Sequence, residues 1–382
     1  MYDAVIVGGG PAGTNAAITL AQCNQRVLLL EAERYPRHKV CGEFLSPECM
    51  TLFGKTDFLE TLRSLKPVPI RTVRLTAPSG VEWRSKFPAS AFGISRYTLD
   101  AALAAYASEQ GVEVCEGMRV TDISGDLRDG FTVTGRTTQG VQTFRGRSVI
   151  AAHGKRSNLD RALGRAFLKQ AQPYIGLKRH FAGPTLPGHI DLHIFGGGYC
   201  GMSHVEGGAT NVCLLVRQDV FQQAAGGKDV EQFIGWTGEQ NPQLGAWLAQ
   251  STPLMPEWLS IGQVPFVPKT LLEGDVLMAG DAAGMIAPLA GDGMAMALHS
   301  GKLAAESLAL FLEGRQDAET VKGLFSRRWR RTFGRRMQLG RALQAIMLRP
   351  ALLTPGLRLL NLLPALGNLL LVQTRDLSLV ER

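Results

Sequence analysis

The chain has no cysteine pair at metal or redox spacing: its six cysteines (Cys23, Cys41, Cys49, Cys115, Cys200 and Cys213) are scattered, with no C-x-x-C. The seven histidines form no H-E-x-x-H pattern. Free thiols are therefore expected, with neither a structural metal nor a hydrolytic zinc site. The start runs straight into the apolar stretch Tyr2 to Val7, without the charged region and cleavage site of a secretory signal, so the cytoplasm is the expected compartment. Acidic residues are missing from one place, for between Thr320 and Arg375 there is no Asp or Glu against eleven Lys or Arg. Of 41 basic and 33 acidic residues overall, 30 and 33 lie elsewhere, so the net +8 belongs to that segment. The segment holds no recognisable nucleic-acid reading module, which removes nucleic acid as an expected partner.

With 382 residues, 45% of them hydrophobic, the chain can bury a large core and form two interleaved domains plus a tail. A strand from Asp3 to Val7, a glycine turn, a helix from Pro11 to about Cys23 and a strand from Arg26 to Glu31 make a βαβ-type beginning. Leu99 to Gly111 reads as a helix, and Val120 to Ser124, Phe131 to Thr137 and Val141 to Phe144 as an antiparallel meander, after which Ser148 to Ala152 returns to the first sheet. Short β-rich runs (Thr72 to Thr76, His189 to Phe195, Thr210 to Val216) suggest a second sheet inserted twice into the first domain. The expected fold is α/β. A Rossmann-like nucleotide-binding domain takes residues 1–65, 96–166 and 263–315, an antiparallel β-sheet substrate domain takes 66–95 and 167–262, and a basic, leucine-rich helical tail takes 316–382.

Gly8-Gly9-Gly10-Pro11-Ala12-Gly13 satisfies G-x-G-x-x-G between a strand and a helix. Gly8 makes the tight turn, Gly10 admits a pyrophosphate without a Cβ in the way, and Gly13 lets the helix pack on the strand. The helix amides then face the negative charge. Glu31, eighteen residues after Gly13, is placed to accept hydrogen bonds from the adenosine ribose. This fingerprint alone does not separate FAD from NAD.

Three further stretches do. Pro36-Arg37-His38-Lys39-Val40-Cys41-Gly42-Glu43, Gly93-Ile94-Ser95-Arg96 to Asp100, and Gly280-Asp281-Ala282-Ala283-Gly284 with Pro288 and Gly291-Asp292-Gly293 join the fingerprint. Together they resemble the flavoprotein superfamily of the p-hydroxybenzoate hydroxylase type enzymes, the geranylgeranyl reductases and the flavin-dependent halogenases, over roughly residues 1–310. The resemblance implies FAD as cofactor. It implies that Arg37, Lys39, Val40, Cys41 and Gly42 run past the flavin and that Arg96 contacts the diphosphate or ribityl chain. Asp281 would bind a ribityl hydroxyl, and Gly291, Asp292, Gly293 and Met294 would open a helix toward the ring edge where negative charge develops on reduction. Ala32, Val120, Gly154, Gly280 and Pro288 complete the implied contacts. One departure is His153, which stands where the hydroxylases carry the aspartate of an Asp-Gly pair, so that aspartate contact is not carried over, and NAD(P)H is the expected transient reductant.

The W-x-W-x-I-P type motif of the halogenases is absent. The stretch Gly198 to Gly208 keeps the Gly-Tyr of a reductase-type run but lacks its Trp and Phe-Pro. On that stretch Tyr199, His204 and Glu206 are expected to share a pocket wall and to be the acid–base candidates. The expected function is a NAD(P)H-driven monooxygenase acting through a flavin C4a-hydroperoxide on an apolar aromatic, polyketide-like or isoprenoid-like substrate. A geranylgeranyl reductase-like ene-reductase or dehydrogenase on an apolar or carrier-bound substrate is the alternative, and an electron carrier the third. The prolines Pro350, Pro355 and Pro364 predict that the tail forms short amphipathic helices, which leave no spanning segment. They would cap the pocket and dock through 325–375 on lipid headgroups at the membrane periphery or on an acidic carrier protein.

Overall fold

The computed structural model describes residues 1–54, 56–186, 188–227, 229–286 and 291–373. Pro288, expected at the cofactor, lies outside the described residues.

Apolar runs buried on both faces build the centre of the first sheet. Tyr2–Val7 lies between Val27–Glu31 and Gly140–Ala151, parallel to both, with Glu113–Glu116 beyond the former and Val276–Met278 beyond the latter. Such doubly covered strands carry near-continuous hydrophobic sequences, as Val-Leu-Leu-Leu does here. The meander forms from Arg119–Asp126, Gly130–Thr137 and Gly140–Ala151. Its last strand corrects the expected break after Phe144, because one twelve-residue strand pairs with the meander at its start and with Tyr2–Val7 at its end.

Helix Pro11–Gln22 packs against helix Gly293–Leu312 at a crossing that depends on glycine. A Cβ on Gly301 would stand 2.0 Å from the carbonyl oxygen of Ala12, and one on Gly280, whose φ is +60°, 2.8 Å from the Ala12 methyl. Those glycines hold the Gly280–Asp281 turn against the start of the first helix.

The second sheet has nine strands, with Val68–Thr76 and Glu82–Gly93 on one side and Tyr174–Ala182, His189–Phe195, Gly198–His204 and Thr210–Arg217 on the other. Phe44–Leu45, just after the Cys41–Gly42 segment, pairs with Phe92 and Gly93 and ties that segment to this sheet.

The tail differs from expectation. Ala318–Met347 is one thirty-residue helix whose Val321, Phe325, Trp329, Phe333 and Met337, four residues apart, are buried in the core of the first sheet. Pro355 does not end the next helix, which runs Pro350–Leu362 and buries Leu353 and Leu357 against the second sheet's cluster. A proline inside a helix costs about 3 kcal/mol, and burying two leucines contributes about 1.5–3 kcal/mol each, which offsets it. Pro364–Gln373 follows as the last described helix.

Candidate functional site

A cavity of about 660 Å³ opens at the carboxyl ends of the parallel strands, where open α/β sheets bind ligands. It is walled by Val7, Gly8 and Gly10, by Glu31 and Ala32, by Ala152 to Leu159, by Arg96 and Asp281, and from the second sheet by Leu259 to Ile261. Of the expected contacts it gathers Gly8, Gly10, Glu31, Ala32, Arg37, Lys39, Val40, Arg96, Val120, Gly154 and Asp281. Pro11, Ala12 and Gly13 stand behind the wall rather than in it. Gly13 serves the packing, since a Cβ there would lie 1.8 Å from the oxygen of Gly8. Gly8 itself has φ +104° and would clash with Ala152 at 2.5 Å. A Cβ at Gly10 would meet only Arg96, at 3.4 Å from Nη2, so an open slot separates the glycine turn from a guanidinium. That slot suits a diphosphate.

Two of the buried carboxylate networks beside the cavity are built on Glu31 and Glu43. In the first, Glu31 accepts from the amides of Gly9 (2.7 Å) and Glu33 (3.0 Å) and from Arg37 (2.9 and 3.3 Å). Burial pushes the Glu31 carboxyl up, but Arg37 and the two amides more than compensate and hold it below the usual range. Arg37 also reaches Asp100 at 2.6 Å, and Asp100 receives Arg96 through two bonds of 2.6 and 2.7 Å. Arg37 is therefore a buried link of the ribose-side wall. A ribose hydroxyl reaching Glu31 shares an oxygen with Arg37, because the carboxylate's four acceptor positions are all in use.

The second network was missed in the sequence. Fully buried Glu43 pairs with Lys178, itself fully buried, and accepts from His180 Nε2 at 2.6 Å and from the amide of Arg96 at 2.7 Å. Burial would raise its pKa, yet His180 and Lys178 bring it below the ordinary value. His38, on the cavity wall, packs its ring 5.1 Å from that of His180 and edge-on to it. The backbone around Glu43 is stapled to the same sheet face, with Asn211 Nδ2 donating to the Cys41 oxygen at 3.1 Å and Ser203 Oγ to the Gly42 oxygen at 3.3 Å. One sequence signal existed: Lys178 and His180, two apart, share a face of a mostly buried strand.

His38, Glu43 and His180 bring their ligand atoms within 4.8 Å of one another. The Lys178 ammonium on the same carboxylate opposes a cation there, so the donor set does not favour a metal.

Several expected residues sit elsewhere. Tyr199, His204 and Glu206 do not share a wall, since Tyr199 and His204 are an odd interval apart on one strand and point to opposite faces. Buried Tyr199 belongs to the second sheet's apolar cluster. His204 is engaged at both nitrogens, by the amide of Leu186 at 2.7 Å and by Thr210 Oγ1 at 3.0 Å. Glu206, beyond the strand, accepts from the amide of Ser95 at 2.8 Å, from the Ser95 hydroxyl and from Thr98 Oγ1 at 2.5 Å, and so caps helix Arg96–Glu109. The Asp292 carboxylate is turned toward Ser46 Oγ (3.0 Å) and Arg336, both buried, and is not part of the cavity wall. Cys41, Gly42, Gly280, Gly291, Gly293 and Met294 are also outside the cavity wall. A Cβ on Gly42 or Gly293 would meet nothing within 4 Å, so both backbones border open space. His153 does line the cavity, with Nε2 fixed by Asp160 at 2.9 Å, and buried Arg165 holds the same carboxylate oxygen at 3.0 Å.

The strand-end location, the Gly10–Arg96 slot, the carboxylate beside the turn and Asp281 on the far wall fit FAD. When bound, FAD supplies two-electron transfer at its ring, and Gly8, Gly10, Glu31, Arg96 and Asp281 are the residues that would hold it.

Comparison with known proteins agrees. Residues 1–177 match the FAD binding domain family. The chain is 26% identical over 333 residues to a menaquinone reductase of Mycolicibacterium smegmatis, covering 80% of this chain and 75% of that one. It is 28% identical over 358 residues to digeranylgeranylglycerophospholipid reductase 2 of Methanothermobacter thermautotrophicus, covering 88% and 85%. Among solved structures, a geranylgeranyl bacteriochlorophyll reductase-like protein of Thermoplasma acidophilum has the same fold, with TM-score 0.77 and 21% identity over 91% of this chain and 87% of that one. So does a myxobacterial chondrochloren halogenase, with TM-score 0.76 and 23% identity over 88% and 81%. The strand-end cavity, the nucleotide fingerprint, the FAD binding domain over residues 1–177 and these relatives together make the chain an FAD-dependent oxidoreductase, similar to the reductases and the halogenase named above.

Proposed function

We propose that the chain is a flavin-dependent reductase that adds hydrogen across a carbon–carbon double bond of an apolar, isoprenoid-like molecule, with a nicotinamide nucleotide as the source of electrons. The observation that carries this reading is the Lys178–Glu43–His180 network. Reduction of an alkene needs a hydride equivalent on one carbon and a proton on the other. Bound FAD, once reduced, supplies the first. Lys178 Nζ and His180 Nε2 hold protons against one carboxylate away from water, and His38 connects that group to the cavity wall.

The same geometry speaks against a base. Glu43 has its oxygens engaged by Lys178, His180 and the Arg96 amide, so it is poorly placed to take the proton of a phenol, the step that ring hydroxylation calls for. Leu75, Phe87, Leu192, Leu215 and Met285 surround the second sheet with apolar side chains, a fitting neighbourhood for a hydrocarbon chain. Both curated relatives named above are reductases.

The test is anaerobic. Protein whose flavin has been reduced chemically is mixed with a polyprenyl lipid or a prenylated quinone, and reoxidation of the flavin is compared with formation of the product bearing two more hydrogens. Equal amounts of both support the reading. Substrate conversion only on admitting oxygen, with an oxygen atom in the product, would replace it by the monooxygenase, and reoxidation only by a protein redox partner by the electron carrier.

A further inference from the structure

Large apolar side chains exposed to water are unevenly spread over the described chain. Ten exceed ordinary exposure, and six of them (Ile346, Leu352, Leu359, Leu362, Leu363 and Leu369) fall within two dozen residues at the end, while the other four are dispersed. Clustering of this kind marks a contact surface, whereas scattered exposure does not.

Helix Pro350–Leu362 is apolar on two faces. Its inner face buries Leu353 and Leu357 against the second sheet. The attachment is completed by polar ties, Ser79 to Thr354 at 2.9 Å and Asn361 Nδ2 to the Glu82 oxygen at 2.8 Å. Leu352, Leu359 and Leu362, at i, i+7 and i+10, form a separate outward stripe that this attachment does not use, and Leu362 is 78% exposed. Arg349 precedes the stripe and Arg358 borders it, both exposed and neither in an ion pair with a described residue. The outer face of the preceding long helix adds exposed Arg327, Arg330, Arg331 and Arg335, and no acidic residue interrupts Thr320 to Arg375.

We infer that the outward face of helix Pro350–Leu362 docks on an anionic lipid surface, with Leu352, Leu359 and Leu362 at the acyl boundary and Arg349 and Arg358 on the headgroup phosphates. Leucines beside unpaired arginines are the pattern of an interfacial helix. A second copy of the chain fits less well, because a symmetric contact would face arginine against arginine without an acid in the segment. An acidic protein would answer the arginines and leave the leucine stripe against charge. No described helix is long and apolar enough to cross the bilayer, so the contact is peripheral.

The experiment uses the full, flavin-loaded chain and needs no turnover. Sedimentation with phosphatidylcholine vesicles is compared with sedimentation on vesicles that also contain phosphatidylglycerol. Binding is expected on the anionic vesicles, falling with salt. It should weaken at least ~10-fold in Leu359→Glu/Leu362→Glu and about tenfold or more in Arg349→Glu/Arg358→Glu, with the flavin spectrum of both variants unchanged. No binding to either vesicle, or variants that bind like the parent, overturns the inference. So does a dimer that the leucine variant dissociates while vesicles are ignored, which would assign the face to a second copy.

Discussion

Glu31 and Glu43 are both buried beside the cavity, and they are answered by different cations. Glu31, beside the glycine turn, is held by Arg37, while Glu43, under the second sheet, is held by Lys178 and His180. Arginine does not release its proton in a protein, so the first network is a fixed arrangement of charge that shapes a binding wall. The second rests on a lysine and a histidine, side-chain types that serve as proton donors, which is why the proposed reading gives it the proton supply. The Arg96 residue joins them, its side chain on Asp100 and its amide on Glu43. On the proposed reading, positioning and proton supply are segregated by cation type within one continuous set of bonds.

The sharpest way to break this contrast is Glu43→Gln. Lys178 is left as a buried ammonium without its carboxylate, a loss of about 3–5 kcal/mol, read by urea unfolding at neutral pH. Flavin-to-alkene transfer should fall on the order of 100-fold. Glu31→Gln leaves Arg37 its 2.6 Å bond to Asp100, so its cost should be nearer 1–2 kcal/mol. Equal losses at the two sites would erase the distinction. The acid limb adds a sign. Because the folded Glu43 pKa is lowered, its stabilisation is fully present above the unfolded value of about 4.3 and is lost as pH falls through the lower folded value. Glu43→Gln should flatten that limb.

Lys269 offers a cation bonded to carbonyls instead, donating to the oxygens of Lys155 and Asp281 at 2.7 Å each. Burial brings its pKa down to about 8. Between that pH and about 10.4 the unfolded chain holds a proton the folded one has released, so stability rises with pH across the window, by up to roughly 3 kcal/mol. Lys269→Met should remove that rise from the unfolding free energy. A parent and variant with parallel curves would show that the ammonium is solvated after all.

Arg96→Met tests the fixed network from its ligand side. Loss of a charged donor at the Gly10 slot should raise the FAD dissociation constant about tenfold to a hundredfold, measured by fluorescence on reconstituting apoprotein. Arg96→Lys should recover only part of it, since one ammonium does not reproduce the two bonds to Asp100. Full recovery would mean that a point charge is enough.

The glycine turn and Glu31 were legible in the sequence, whereas the links of Arg37 to Asp100 and of Glu43 to its cations were not, for a reason of distance. Gly8 to Glu31 is a local unit in which strand, turn and helix announce themselves. Glu43 meets Lys178 and His180 across 135 and 137 residues, and only their common strand face hinted at it. The tail shows the opposite limit. Its arginines were expected to serve docking, but Arg336 completes a buried pair with Asp292, a partner no local pattern could supply. The parity of Tyr199 and His204 could have been read from the sequence, and it argued against the wall assigned to them.

Glu206 supplies the smallest and most discriminating effect, because no cation among the described residues lies within the hydrogen-bonding shell of this carboxylate. Its donors are the Ser95 amide and hydroxyl and the Thr98 hydroxyl, all at the first turn of helix Arg96–Glu109. A carboxylate there is favoured by the unpaired amides and the positive end of the helix. Glu206→Gln keeps an acceptor oxygen and loses the charge, so a stability loss of about 1 kcal/mol is expected, with turnover and its pH profile unchanged. Glu206→Ala should cost more, yet still leave the profile in place. A shifted profile in either variant would make Glu206 part of the proton supply and would undo the assignment of that role to the lysine and histidine on Glu43.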